Sequence, residues 1–268
     1  MLEELRTRHL AHHDTSRAMA AMEVCYPDGT STGWHSHPRG QLLHAISGVM
    51  VVHAAQGAWV VPPNRALWLE AGLEHEVHMT GEVRIHTVFL ADQQIPGLPA
   101  RTSVLAVSPL LREVIVAAVR LPPDAEESAR AGLLLGLLVD ELTVSDVLPL
   151  HLPMPKDERL RQICRSLQEA PADSRTAEAW GASLGFSGKT VHRLFAREVQ
   201  MSFAQWREQA RLLAALTRLA AGARIIDTAF DCGYASQSAF TAMFRRHFGV
   251  PPSAYPLFAT KGAAEGDP

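Results

Sequence analysis

Cysteine is scarce in this chain: its 268 residues include three, Cys25, Cys164 and Cys232. Odd in number and widely spaced, they form neither a disulfide framework nor a CxxC metal knuckle, and they suggest a reducing cytoplasm. No stretch approaches the roughly 18 consecutive apolar residues needed to cross a bilayer, so a membrane-spanning protein is not expected. The opening MLEELRTRHLAHHD is charged and lacks an apolar h-region, which argues against a secretory signal. Excess charge is lacking too, because 25 basic and 28 acidic residues leave a formal net charge of -3. That near-balance hides an asymmetry. Up to Pro155 there are ten basic and seventeen acidic residues; after it there are fifteen and eleven. An acidic first half joined to a basic second half suggests that only the second meets a polyanion, although a solvated helical surface carries a similar excess.

The length accommodates two domains of ordinary size. Up to about Leu90 the chain reads as short strands. QLLHAISGVMVVHA and GAWVVPPNRALWLEAG are rich in Val, Leu and Trp and are punctuated by Gly, Pro and Asn, a rhythm that suits a sandwich or small barrel. After IPGLP the period becomes helical. SPLLREVIVAAVRL opens with Ser108 as an expected N-cap and Pro109 at the first helical position. DAEESARAGLLLGLLVDEL follows, acidic in its first turn. Its run from Leu133 to Leu142 is apolar nearly all round and is expected to be buried, on its own barrel or on a second copy of the protein. LPLHLPMP reads as a linker, and residues from Asp157 to about Phe248 read as helical. The tail TKGAAEGDP is expected to be disordered.

The second half repeats one plan. In RTAEAWGASLGFSGKTVHRLFARE a helix ends at Gly185, and Ser187 caps a second helix whose Val191, Leu194 and Phe195 form an apolar stripe. In ARIIDTAFDCGYASQSAFTAMFRRHFG the turn is Gly233, the cap Ser236 and the stripe Phe240, Met243 and Phe244. FAQWREQARLLAALTRLAAG suits a long linking helix. Two helix-turn-helix units on a rigid linker can place two helices in successive major grooves, roughly 34 Å apart.

Gly185 to Tyr255, above all ARLLAALTRLAAG and IIDTAFDCGYASQSAFTAMFRRHFGVPPSAY, resembles the DNA-binding domain of AraC/XylS-family transcriptional regulators. The chain departs from the family's pattern at Gly181, where Ala is usual, at Gln200-Met201 in place of a turn with Gly, and at Pro256, where Arg is common. Gly181 suggests a looser first unit. The resemblance implies base-facing positions at Lys189, His192 and Arg193 in the first unit and at Gln237, Ser238 and Thr241 in the second. Gln and Arg pair selectively with adenine and guanine. Arg245 and Arg246 are expected to hold phosphates. Each of these residues also has a plain reading, as a solvated helix residue.

GTSTGWHSHPRGQLLHAISG, Gly29 to Gly48, resembles the first cupin motif with Gln41 where Glu is usual, and EAGLEH resembles the second, with Glu70 in place of Pro and His75 at a ligand position. The same stretch is similar to the sensor domain of an AraC-family branch that includes regulators of neighbouring efflux genes. His35, His37 and Gln41 share strand parity, and His75 from a neighbouring strand could join them. Three imidazoles and a carbonyl suit Zn, Ni, Fe or Mn without choosing among them. Three uses stay open: a divalent transition metal on His35, His37, Gln41 and His75, an effector pocket on Trp34, His35, His37 and His75, or a purely structural role. His44, His53, His78 and His86 read as strand or surface residues. Trp34, Trp59 and Trp68 read mainly as core.

These observations imply an α+β two-domain protein. An N-terminal cupin-like barrel, about 15–95, is followed by dimerisation helices, about 108–145, within a domain spanning 1–150. After a linker at 151–156 comes an all-α domain with two helix-turn-helix units at 157–258, then a disordered tail at 259–268. The function expected is a cytoplasmic, non-enzymatic transcriptional regulator, a homodimer that binds promoter DNA under control of a small molecule, with RNA polymerase as a further partner. A metal-dependent cupin enzyme with an accessory helical domain is the rival reading. A regulator with no ligand, controlled by its own abundance, is another.

Overall fold

The structure is a computed structural model and describes residues 17–91, 95–122 and 128–255. Within them the chain divides into two compact units, one formed by 17–54 and 59–151, the other by 55–58 and 152–255.

The first unit is a mainly antiparallel sheet. Its strands are β1 (Met19–Tyr26), β2 (Gly40–Ala54), β3 (Gly57–Val61), β4 (Arg65–Leu69), β5 (His75–Leu90), β6 (Ser103–Ala106) and β7 (Val147–Leu148), with β8 (His151–Pro153) at the boundary. The main path runs β1-β5-β2-β4-β6-β7. Register is set by long pairings: Gln41 lies opposite both Leu69 and Phe89, His44 opposite both Ala66 and His86, and Glu23 opposite His86. The ladder between β2 and β5 shifts register between Ala45 and Val49, and irregularities of this kind bend strands.

Strand alternation then sorts the side chains. Leu42, Ala66, Trp68, Val88, Leu90 and Leu105 share one face, which two helices cover: α1 (Pro109–Val119), through Leu111, Val114 and Ile115, and α2 (Ala129–Val144), through Leu138 and Leu142. Gln41, Thr87 and Phe89, of opposite parity, line the other face. Ser108 caps α1 by accepting from the Leu111 N–H, with Pro109 at its first turn, as the sequence predicts. Trp59 and Trp68 are buried core residues, and Trp68 Nε1 donates to the Pro99 carbonyl at 2.8 Å.

Several expectations need correction. Within one chain the sheet claims only part of the Leu-rich run: Leu138 and Leu142 are buried against it, while Leu133 and Leu137 are exposed. α2 starts at Ala129 with Ser128 as its cap, and its first turn is not acidic; most of the acidic stretch before it lies outside the described residues. Three residues of the expected 151–156 linker form β8. The sheet also gains strands beyond residue 95, β6 from before the helices and β7 from after them. His44, His53, His78 and His86 all lie on strands, and of these His44 and His86 are buried. The expected tail at 259–268 lies outside the described residues.

The second unit contains α3 (Glu158–Glu169), α4 (Ala177–Ser183), α5 (Gly188–Glu198), α6 (Phe203–Ala220), α7 (Ile225–Asp231) and α8 (Gln237–Phe248), closed by a 3-10 turn at Pro252–Ala254. Leu160, Ile163, Leu167, Trp180, Val191, Phe195, Trp206, Leu213, Leu216, Phe240 and Phe244 build its core. α6 begins with a reciprocal capping box in which Ser202 and Gln205 each satisfy the other's backbone N–H.

Candidate functional site

The two helix-turn-helix units are built alike down to single hydrogen bonds. Gly185 and Gly233 take the left-handed conformation, at φ 79° and 77°, which only glycine adopts cheaply. The next residue in each turn donates its N–H five residues back: Phe186 to the Gly181 carbonyl and Tyr234 to the Ala229 carbonyl, both at 2.9 Å. Ser187 and Ser236 then cap α5 and α8, accepting from the Thr190 and Ala239 N–H groups. These local signals make the caps and turns readable from sequence.

Gly181 and Ala229 occupy equivalent places, yet they are not interchangeable. A Cβ at Gly181 would stand 2.6 Å from the Phe186 carbonyl oxygen and 2.9 Å from the Ser187 carbonyl carbon. The first unit is therefore closely packed at this turn, not loosened, and glycine is there because backbone meets backbone.

With Val191, Leu194 and Phe195 buried, α5 turns Lys189, His192 and Arg193 to solvent. On α8, Gln237, Ser238 and Arg245 are exposed and Thr241 half-buried. Gln237, Ser238, Thr241, Ala242 and Arg245 line one open concavity. Two carboxylates that sequence reasoning passed over stand beside these faces. Glu178 packs against Gly188, at the start of α5, and approaches His192 Nε2 to 4.0 Å. Glu208, on α6, pairs with Arg246 and meets His247 Nε2 at 3.3 Å. Arg246 is thus already engaged by an acid. No local motif signals either carboxylate, since each acts across helices.

In the first unit His35, His37 and His75 come together. His35 lies on no continuous strand with Gln41, because β2 begins at Gly40; an isolated bridge to His75 holds it instead. Ring centroids are 4.4 Å apart for His35 and His75, 5.2 Å for His37 and His75, and 6.3 Å for His35 and His37. Each ring turns Nδ1 to a backbone carbonyl: His35 to Gly33 at 2.8 Å, His37 to Arg39 at 2.6 Å, His75 to Leu73 at 2.9 Å. His37 Nε2 lies 2.9 Å from the Gln41 amide, whose other end lies 2.9 Å from Thr87 Oγ1. Burial lowers the pKa of His37 and lowers that of His75 to about 4, so both rings are neutral near pH 7. A neutral His37 that donates from Nδ1 needs a donor at Nε2. The Gln41 nitrogen supplies one if the amide oxygen accepts from the Thr87 hydroxyl; the opposite assignment requires a charged imidazole.

The donors do not fit a metal as placed. Nδ1 anchoring on carbonyls is what metal-bound histidines show, but His37 Nε2 is taken up by Gln41. Among the described residues no group of three His, Cys, Asp or Glu side chains is positioned to hold a metal ion. Trp34 does not join the cluster either, being 54% exposed. His75 is 1% exposed, and its Nε2 has no hydrogen-bond partner among the described residues.

A second polar cluster lies on the helix-covered face. His44 is 2% exposed, neither of its ring nitrogens has a hydrogen-bond partner among the described residues, and its ring is 5.9 Å from that of His86. His86 Nε2 meets Glu23 at 3.0 Å. Burial brings the His44 pKa down to about 4, with His86 and Arg112 adding to the effect.

Comparison with known proteins agrees with this geometry. A family model described as an AraC-like ligand binding domain matches residues 18–184, more than half of the chain, and one described as a helix-turn-helix domain matches 180–256. The chain is 29% identical over 247 residues to the HTH-type transcriptional regulator NimR of Escherichia coli K12, covering 91% of this chain and 88% of that protein. It is 38% identical over 72 residues to the regulatory protein SoxS of Salmonella typhimurium, 26% of this chain and 67% of that one. Among solved structures, ToxT of Vibrio cholerae aligns over 92% of this chain and all of its own, with 10% identity and a TM-score of 0.39. Among the described residues no helix is long and apolar enough to cross a membrane. The chain belongs to the AraC family of transcriptional regulators, with an AraC-like ligand-binding domain followed by a helix-turn-helix DNA-binding domain.

Proposed function

We propose that this regulator reads promoter DNA through Lys189, His192 and Arg193 on α5 and through Gln237, Ser238 and Thr241 on α8, with Arg245 and Arg246 on phosphates. The observation that carries this is the duplicated cap-and-turn geometry, which leaves these side chains on the solvent faces of two equivalent helices. A small molecule binds the first unit at His35, His37 and His75, where the bare Nε2 of His75 offers a buried acceptor. It shifts the protein between arrangements that differ in DNA affinity or site choice. The protein works in the cytoplasm as a homodimer, joined through the helices at 108–145, so that four helix-turn-helix units engage repeated half-sites with raised effective concentration. RNA polymerase is a further partner at promoters. The protein acts as a regulator and not as a cupin enzyme, a reading supported by its likeness to transcriptional regulators over most of its length.

Selection of bound duplexes from a random pool by the purified protein tests the DNA reading. One enriched sequence, lost in Arg193→Ala and Gln237→Ala variants that still fold, is the expected result. Enrichment that survives both changes overturns the assignment of the reading residues.

A further inference from the structure

The two helix-turn-helix units match at their turns and differ at the far ends of their second helices. α8 carries Arg245, Arg246 and His247 in its last turn and closes on Gly249, left-handed at φ 75°. α5 closes on Glu198, whose side chain reaches back to the segment before α3. Glu198 Oε2 accepts from the Lys156 and Asp157 N–H groups, both at 2.9 Å, and Oε1 accepts from Arg197 at 2.8 Å. The side chain is 12% exposed. These bonds, the one from Asp157 foremost, hold its carboxyl below the usual carboxylate range, so it is charged near pH 7. Hydrogen bonds to a charged acceptor are roughly twice as strong as neutral ones.

The segment it grips is fixed at other points too. The chain comes over from the first unit at Leu152. The Pro153 carbonyl then accepts from Trp206 Nε1 of α6 at 2.7 Å, the Met154 N–H donates to the Gln56 carbonyl at 2.9 Å, and Pro155 is buried. Asp157 caps α3. Residues 153–157 are thus seated on the second unit from end to end, and Glu198 ties α5 to them. An eleven-residue helix moves as a rod. A grip on its last turn therefore fixes the angle at which Lys189, His192 and Arg193, in its first two turns, meet a groove. Side-chain contacts to base edges depend on that angle, because their pairing is set by geometry.

We infer that Glu198 is a positioning residue for DNA reading: its carboxylate clasps the backbone of Lys156 and Asp157 to the end of α5 and so sets the pose of Lys189, His192 and Arg193 in the groove. This deepens the DNA reading above and rests on it. A displacement of residues 153–157 then acts on the bases read by α5 and spares those read by α8.

The test uses the full chain and the duplex enriched from a random pool, with each base pair substituted in turn and affinity measured by fluorescence anisotropy. Wild type shows two blocks of sensitive positions about one helical turn apart. Lys189→Ala removes discrimination within the block that α5 reads, and Thr241→Ala within the block that α8 reads. Glu198→Ala is expected to reduce discrimination about tenfold in the α5 block and to leave the α8 block as in wild type. Glu198→Gln, whose amide oxygen accepts from the same two N–H groups, restores it. Circular dichroism confirms the fold. Glu198→Met keeps the stem and lacks the acceptor, and it replaces the alanine variant should that one fold poorly. A pool that yields no enriched duplex, or Lys189 and Thr241 variants that change no position, overturn the DNA reading and this one with it. Two marked blocks, both untouched by Glu198→Ala and Glu198→Met, overturn the clasp alone. Equal losses in both blocks give Glu198 a general structural role and overturn its positioning role, as does a glutamine variant no better than alanine.

Discussion

His35 and His75 exchange both of their backbone hydrogen bonds, each 2.9 Å long, so one isolated bridge brings two rings to a centroid separation of 4.4 Å. The cluster is thus held by main chain, and within it the buried His75 Nε2 has no hydrogen-bond partner among the described residues. Gln41 completes it by linking His37 to Thr87.

That link sets a first expectation. Gln41→Leu leaves the buried His37 Nε2 and Thr87 hydroxyl without the amide, and each unsatisfied group costs about 1–3 kcal/mol. Thermal unfolding of the variant is expected at a lower temperature than wild type. An unchanged midpoint would show that other groups already satisfy both atoms.

Acid should destabilise the protein. His44 and His75 are held at pKa values of about 4, below the ordinary 6.5, so the unfolded chain takes up protons first as pH falls. Their stabilising effect is complete above about pH 6.5 and declines between there and about pH 4, by up to about 3 kcal/mol for each histidine. His44→Leu removes one such group from an apolar face. Its unfolding temperature should fall less between pH 7.5 and pH 5 than that of wild type, and equal slopes would remove His44 from this account.

The turn before α5 tolerates no added carbon. Gly181→Ala forces the Phe186 carbonyl or α4 to move, at about 1–3 kcal/mol. Denaturant unfolding measures the loss. A neutral outcome would mean that this turn yields as easily as its counterpart at Ala229.

Arg193 and Arg245 should differ in what they contribute to DNA binding. Arg193→Ala is expected to abolish preference for the specific site, a loss of at least about 1–3 kcal/mol, while the fold stays intact. Arg245→Ala weakens all sequences alike and reduces the salt slope by about one. Glu208→Gln frees Arg246 and steepens that slope by about one. Titrations at several salt concentrations separate the three cases.

Much of this design was legible because it is local. Ser108, Ser187 and Ser236 each announce a helix start, and Gly185 and Gly233 each announce a turn that a side chain would strain. Lys189 through Arg193 follow from the stripe opposite them. What escaped is non-local or two-sided. His44 and His86 read as strand or surface residues, and their burial was not legible because alternation sorts residues into two faces without saying that helices cover one of them. The run from Leu133 to Leu142 gave no sign of which leucines its own sheet would claim. Glu178 and Glu208 act across helix boundaries that no spacing reports. Trp34 sits between two signals, glycine and histidine, yet points to water.

α2 is a wall with two tenants. Leu138 and Leu142 belong to the sheet that carries the histidine cluster on its other side, while Leu133 and Leu137, less than two turns away, face outward. Any displacement of the sheet would meet α2 directly through Leu138 and Leu142, with no intervening layer. A substitution that shifts α2 should therefore loosen the packing of the sheet that carries the histidine cluster on its other face.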